Sequence, residues 1–267
     1  MNTINFWIDT HVHLYAQNYQ QDLAQVIEQA KQKGVTKFYL PNIDETSLVD
    51  LLKVSEKYPD CCLPMWGLHP CSVDENYQKK ITFLEEKLPL TNWVAIGEIG
   101  IDLYHETQFL EQQKKVLIQQ LFWAKKLDLP VVFHVRKGLD EVLEILQTFL
   151  PFRFRGIFHC FGGSLEEAQK ILKMGDFKLG IGGVVTFKNA HLAKIIPQIG
   201  IDNIVLETDG PYLAPDPFRG QRNEPQYIPI IAEKIATLLN VSLLEVAQKN
   251  QKNVDQIFNK KHENSTR

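Results

Sequence analysis

Residues 6–13, FWIDTHVH, run apolar until they reach His11 and His13, and the same pattern returns along the 267-residue chain. Glu98 sits in WVAIGEIGID (93–102), His134 in LPVVFHVR (129–136), His159 in GIFHC (156–160) and Asp209 in NIVLETDGPY (203–212). Each is a metal-binding side chain at or near the end of a short strand-like run. The ends of parallel strands are where an α/β barrel gathers residues that lie far apart in sequence. Four imidazoles and two carboxylates meeting there make a site for one or two divalent cations, and such a site serves to activate water.

Working outward, the strand-like runs are INFWID, TKFYLP, CCLPMWGLH, WVAIGEIG, PVVFHV, FRGIFHC, FKLGIGG and NIVLET. Between them lie segments with apolar residues at i, i+3, i+4 and i+7, the spacing of a helix with one buried stripe. These span 22–33, 47–58, 81–88, 106–127, 139–149, 164–174 and 189–199. Two further helices, 227–239 and 242–258, close the chain, and Ser242 with Glu245 has the spacing of a capping box. Eight strands, each followed by a helix, predict an α/β protein built as a single (β/α)8 TIM barrel. A doubly wound open sheet also accommodates eight strands, but its ligands come from loops near one switch point. Here the candidates follow strands one, four, five, six and eight, which demands closure around a common centre. The sequence has no linker, repeat or low-complexity segment. It reads as one domain over 1–260 followed by a polar tail, 261–267.

Hydrophobic residues make up 44% and charged residues 23%, as in an ordinary globular protein. The formal charge of -3 gives no basic field for wrapping nucleic acid non-specifically. A phosphate substrate stays open, because bound cations supply the positive charge that the composition lacks. DNA binding is then expected to be weak, metal-dependent and shallow in its salt response. Cys61, Cys62, Cys71 and Cys160 form no C-x-x-C pair and read as buried free thiols. Strand alternation turns Cys160 away from the side that His159 occupies. A basic leader is missing and no run is long enough to span a membrane, which predicts a cytoplasmic chain with no membrane contact.

Strand parity assigns the remaining roles. His11 and His13 share a side. Glu98 lies among glycines and aliphatics, where an unpaired carboxylate is costly to bury unless a cation or an arginine compensates it. Its two oxygens are able to bridge two metals. Asp102 and His105, in the loop beyond, read as supporting or solvated groups. His134 and Arg136 share a side, and a guanidinium there suits phosphate or carboxylate recognition. Asp209 stands at its strand tip as ligand or base, with Glu207 one layer deeper to hydrogen-bond a ligating imidazole. The loop over 211–225 is rich in Pro and carries Arg219, Arg222 and Glu224. His69 ends the third run.

One cation is therefore expected on His11, His13, Glu98 and Asp209, and a second on Glu98, His134 and His159. The metal is Mg, Mn or Zn on this reading: imidazoles favour Mn or Zn, whereas phosphoryl transfer commonly runs with Mg or Mn. Asp209 and Glu98 are the expected catalytic residues, with Arg136, His69 and Arg219 on the substrate. Two cations so placed stabilise both the attacking and the leaving oxygen of a phosphoryl displacement.

The stretches IDTHVHL, GLHP, IGEIGID, FHVR, FHCFGG and LETDGPYLAPDPFRGQRNEP resemble the TatD family of metal-dependent deoxyribonucleases, within the amidohydrolase-like barrels. They follow the family's order over nearly the whole chain, and the last is the most specific. The resemblance implies a TIM barrel with His11, His13, Glu98, His134, His159 and Asp209 as ligands. It also implies a phosphodiester substrate, typically DNA, with exonuclease behaviour (3′ to 5′) in some members. Gly162 stands where Ser is common after HCF, and Gly210 where Ala or Ser often follows ETD; neither removes a ligand. The expected partner is DNA or another phosphodiester, and the expected state a monomer. Two other functions fit the same residues: an ester or amide hydrolase, acting for example on aminoacyl-tRNA, and a non-catalytic binding barrel. Many related barrels bridge their metals with a carbamylated lysine on strand four. Glu98 occupies that strand here and favours the nuclease-like reading.

Overall fold

A computed structural model describes residue 4 and residues 6–90, 92–105 and 107–259. Its strands are β1 (Trp7–Asp9), β2 (Val35–Leu40), β3 (Cys62–Pro64), β4 (Ile96–Asp102), β5 (Val131–Arg136), β6 (Arg155–Phe158), β7 (Asp176–Ile181) and β8 (Ile204–Leu206). Helices α1 (Leu23–Gln32), α2 (Leu48–Lys57), α3 (Tyr77–Lys87), α4 (Leu110–Leu127), α5 (Leu139–Gln147), α6 (Leu165–Met174) and α7 (Leu192–Ile199) alternate with them. The chain then runs through α8 (Ile228–Leu239) and α9 (Leu243–Phe258). The eight expected strands and nine expected helices are all present, in the expected order. The polar tail expected over 261–267 lies outside the described residues.

Every strand pairing is parallel, in two runs: β1-β2-β3 and β4-β5-β6-β7-β8. Backbone bonds join the two runs at both seams. Trp66 bridges to Ile96 on one side and Val12 to Gly210 on the other. Around the second seam, Thr10 N–H donates to Leu206 O, Asp209 N–H to His11 O and His13 N–H to Gly210 O. The ring of strands is thus closed, as the scattered candidates required.

The barrel interior carries Ile8, Tyr39, Met65, Ala95, Val132, Ile157 and Val205, one from each of seven staves. Val254 and Ile257 of α9 belong to the same apolar cluster, so the last helix plugs the end opposite the strand tips. Arg155 Nε reinforces the plug by donating to Ile257 O. The residues at the strand tips are therefore left as the open face.

Several elements depart from the sequence expectation. The helix expected over 106–127 begins at Leu110, and β1 stops at Asp9, so His11 and His13 follow the strand, past a bend at Thr10 and His11. The reciprocal capping box is at Ser164 and Glu167, whereas Ser242 makes only the bond from Glu245 N–H. Gly100 shows how tightly neighbouring strands approach. Its φ is +148°, and a Cβ there would sit 1.9 Å from His134 O.

Candidate metal centre

The strand tips bring His11, His13, Glu98, His134, His159 and Asp209 to one place, together with His69. The register between β4 and β5 slips at Glu98, with Gly97 opposite Val132 and Ile99 opposite Phe133. Such an extra residue re-aims its side chain, here into the barrel mouth. Glu98 Oε2 lies 3.2 Å from His11 Nε2 and 4.0 Å from His13 Nε2. Its Oε1 lies 2.8 Å from His159 Nε2, 2.9 Å from His134 Nδ1 and 3.4 Å from His69 Nε2. Asp209 takes a left-handed φ of +58°, which Asp tolerates better than most residues. Its Oδ1 stands 3.5 Å from His13 Nε2 and 3.7 Å from His11 Nε2.

Hydrogen-bond bookkeeping shows which nitrogens are available to a cation. Tyr15 O–H donates to Pro41 O, so His13 Nδ1–H donates to Tyr15 Oη and Nε2 keeps its lone pair. Cys71 N–H donates to His69 Nδ1, so His69 carries its proton on Nε2 and acts as a donor. Neither ring nitrogen of His11 has a hydrogen-bond partner among the described residues, although the side chain is 0% exposed. A buried polar group of that kind costs roughly 1–3 kcal/mol unless something binds it. These are the marks of a cation site. Two ligand sets result, His11 with His13 and Asp209, and His11 with Glu98 and His159, each with ligand atoms within 4.8 Å of one another.

The charges are arranged to match. Burial alone would raise the Glu98 pKa, but His159, His11 and His69 hold it well below the usual carboxylate range. Burial opposes the charge on His159, yet Glu98 and Glu207 hold its pKa well above the ordinary value. Burial pulls His11 the other way, below the ordinary histidine value. Asp209, for which burial is outweighed by His13, His159 and His11, stays ionised.

The substrate candidates separate. Arg136 lines the cavity above the centre, stacked 3.7 Å over the Tyr104 ring with Nη1 3.4 Å from His105 Nε2. His69 also lines it, edge-on to His134 at 4.3 Å. Arg219 does not line the cavity; it is exposed and lies over the Phe187 ring at 4.4 Å. Arg222 is tied down by Asp22 at 2.9 and 2.7 Å and by Glu224, which anchors the Pro-rich loop to α1. The cavity has a volume of about 1240 Å³ and reaches Lys137, Lys170 and Tyr212.

Three supporting residues have no assigned role in the sequence reading or a weaker one. Asp102 is fully buried, accepting Tyr104 and His105 N–H on Oδ1 and facing His134 Nε2 at 2.9 Å with Oδ2. Asp9 accepts Thr208 N–H and O–H and His11 N–H; burial nonetheless pushes its pKa up to about 8. Tyr15 sets the His13 tautomer. The alternation Asp9, His11, His13, Tyr15 is the signal that shows two of them. Glu207 Oε1 accepts Cys160 N–H and lies 3.5 Å from His159 Nδ1, so it is near the imidazole but beyond good hydrogen-bond distance.

Two cysteine expectations are corrected. Cys61 and Cys62 are buried, but Cys71 is exposed. Cys160 lines the same cavity as His159, because β6 ends at Phe158 and Cys160 takes φ +47°, so strand alternation no longer applies. Burial, followed by Asp209, pushes its thiol up to about 12, which leaves it a poor nucleophile.

The model of the family described as TatD related DNase matches residues 8–259. The uncharacterized metal-dependent hydrolase YabD of Bacillus subtilis is 36% identical over 251 residues, covering 94% of this chain and 98% of its own. The 3'-5' ssDNA/RNA exonuclease TatD of Erwinia tasmaniensis is 30% identical, covering 94% of this chain and 99% of its own. The crystal structure of YjjV, a TatD homolog from Escherichia coli, superposes with a TM-score of 0.85 at 29% identity, covering 95% and 98% of the two chains. With the barrel, the ligand cluster and a match over almost its full length in agreement, the chain belongs to the TatD-related DNase family of metal-dependent hydrolases.

Proposed function

We propose that this centre hydrolyses phosphodiester bonds in nucleic acid, working from the 3′ end of single strands. The observation that carries the reading is the two-sided use of Glu98. One carboxylate oxygen faces His11 and His13 and the other faces His134 and His159, as a carboxylate shared by two cations would. His11, His13, Glu98 and Asp209 would hold one divalent ion, and Glu98, His134 and His159 the other. Bound there, Mg, Mn or Zn would neutralise phosphate oxygens and make water acidic at neutral pH.

The chain's own groups do the rest. Asp209, ionised at the strand tip, orients the attacking water and takes its proton. His69 presents Nε2–H towards Glu98 and the cavity, where it donates to a phosphate oxygen. Arg136 offers a planar guanidinium, fixed on Tyr104, to a second phosphate oxygen. Relatives named 3'-5' ssDNA/RNA exonuclease support both the bond and the polarity. DNA is the expected partner, and Arg219, which lies outside the cavity, has no role in this reading.

The test is turnover of 5′-labelled single-stranded oligonucleotides, alongside a panel of ester substrates, by chelated protein reloaded with Mg, Mn or Zn. Shortening from the 3′ end should require metal. In Glu98→Ala it should fall by ~10²-fold or more, as expected for loss of a group that supports transition-state charge. Equal rates in the wild type and Glu98→Ala would refute the nuclease reading. Ester cleavage without oligonucleotide cleavage would replace it.

A further inference from the structure

We infer that the chain carries a third cation site, made by Cys71, Asp102 and His105 at the cavity rim and suited to a borderline-soft divalent ion such as zinc. The three contribute ligand atoms that all lie within 4.8 Å of one another. Cys71 Sγ is 3.9 Å from His105 Nδ1, and Asp102 Oδ2 is 2.9 Å from the same nitrogen. Zinc held tetrahedrally, at about 2.3 Å from sulfur and about 2.0–2.1 Å from nitrogen and oxygen, needs separations of about 3.6 and 3.3 Å. Shifts of a few tenths of an ångström reach that geometry, and the half-exposed His105 ring is free to make them.

The same three residue types suggest a nucleophilic triad, but the atoms rule it out. A base must face its nucleophile with one ring nitrogen and its orienting carboxylate with the other. Here Sγ and Oδ2 both approach Nδ1. Three donors converging on one point suit an ion. Cys71 also lies close to His69 and His134. Their nitrogens are engaged, however: His69 Nδ1 accepts Cys71 N–H, while His134 faces Asp102 and Glu98. Asp102 Oδ1 is occupied by two backbone N–H groups, which leaves Oδ2 for the rim.

Thiolate and carboxylate together match a divalent charge, and sulfur selects zinc-like ions over magnesium. Binding releases the thiol proton to solvent. It also moves the His105 proton from Nδ1 to Nε2, so Arg136 Nη1, 3.4 Å from Nε2, gives up that contact and turns to solvent. Cys71 and His105 line the open cavity, so an ion has access and a fourth position stays free. Because Asp102 Oδ2 also faces His134 Nε2 at 2.9 Å, a rim ion would share a carboxylate with an imidazole of the main centre.

The inference does not depend on the nuclease reading, and its test needs no substrate. The full-length protein is stripped by chelation and titrated with cobalt, then with zinc. The wild type should develop a near-ultraviolet thiolate-to-cobalt charge-transfer band that Cys160→Ala retains and Cys71→Ala loses. Bound zinc should fall by one equivalent in Cys71→Ala and also in His105→Gln, with the metal-free melting temperatures unchanged. A wild type without the band, or a band that survives Cys71→Ala, would overturn the site. Cys71 is exposed, and Cys71→Ser provides a second variant that leaves packing alone.

Discussion

Residue by residue, the centre depends on groups that never touch a substrate. Tyr15 is the clearest: its hydroxyl proton goes to Pro41 O at 2.6 Å, which forces His13 to donate from Nδ1 and keeps Nε2 bare. Tyr15→Phe removes that constraint while preserving the ring. The expected result is a metal affinity lower by ~10–100-fold, the usual cost of losing a partner behind a ligating histidine. Zinc competition titration measures it, and unchanged affinity would mean that the tautomer is set elsewhere. At this scale the sequence was informative wherever spacing alone carries the message. His11, His13, Glu98, His134, His159 and Asp209 do converge, Glu98 and His134 from within β4 and β5 and the other four from just beyond β1, β6 and β8 of the same closed ring. Asp102, expected as a supporting or a solvated group, is the supporting one: the barrel wall buries it completely and turns it onto His134. The Arg222–Asp22 pair was invisible for another reason: two hundred positions separate the partners, and only closure of β8 against β1 brings them together.

Between elements, the site is kept in place by close approach of neighbouring strands. Gly180 on β7 is the tight point beside Glu207: a Cβ there would lie 2.1 Å from Glu207 Oε2 and 2.6 Å from its Cδ. Glu207 is fully buried beyond β8, and its Oε1 is held by Cys160 N–H. Gly180→Ala should therefore cost about 1–3 kcal/mol, the range for overpacking a dense interior. It should also weaken metal binding, since Glu207 would be pushed against His159. Pairing it with Glu207→Asp, which shortens the side chain, should recover part of both losses. Additive losses in the double variant, by chemical denaturation, would count against the contact. Periodicity revealed the eight strands and nine helices but not where the strands stop. Three of the strands are only three residues long, and the ligands beyond β1 and β8 lie on irregular backbone, with bends at Thr10 and His11 and a φ of +58° at Asp209. His11 and His13 nonetheless share a side, since the Nε2 atoms of both face Glu98 Oε2 and Asp209 Oδ1. Parity failed at Cys160, where a positive φ breaks it.

For the molecule as a whole, a centre built from buried charges should couple metal binding to stability and to pH. An ion that binds only the folded chain stabilises it by RT ln(1 + [M]/Kd), about 2.7 kcal/mol at a hundredfold excess over Kd. Chelation should accordingly lower the melting temperature. The pH dependence follows from which imidazoles keep a proton before metal arrives. His159, and His134 with it, are raised above the ordinary value of 6.5 by their carboxylate neighbours, although burial opposes both. His11 and His69 are lowered by burial and are already neutral, so they release no proton on binding near neutrality. For a raised histidine, the stability contributed by its ion pair is fully present below pH 6.5 and is lost as pH rises through the folded-state pKa. In the metal-free protein the His159–Glu98 pair therefore helps most at low pH, just where protons exclude the metal. As pH rises that help fades while apparent metal affinity climbs. The melting-temperature difference between loaded and chelated protein should consequently widen from pH 6 upward until His159 has lost its proton. Thermal scans of both forms across pH 6–9 test this. A gap independent of pH would show that His159 is neutral in the metal-free protein, and that Glu98 is held by something other than an imidazolium.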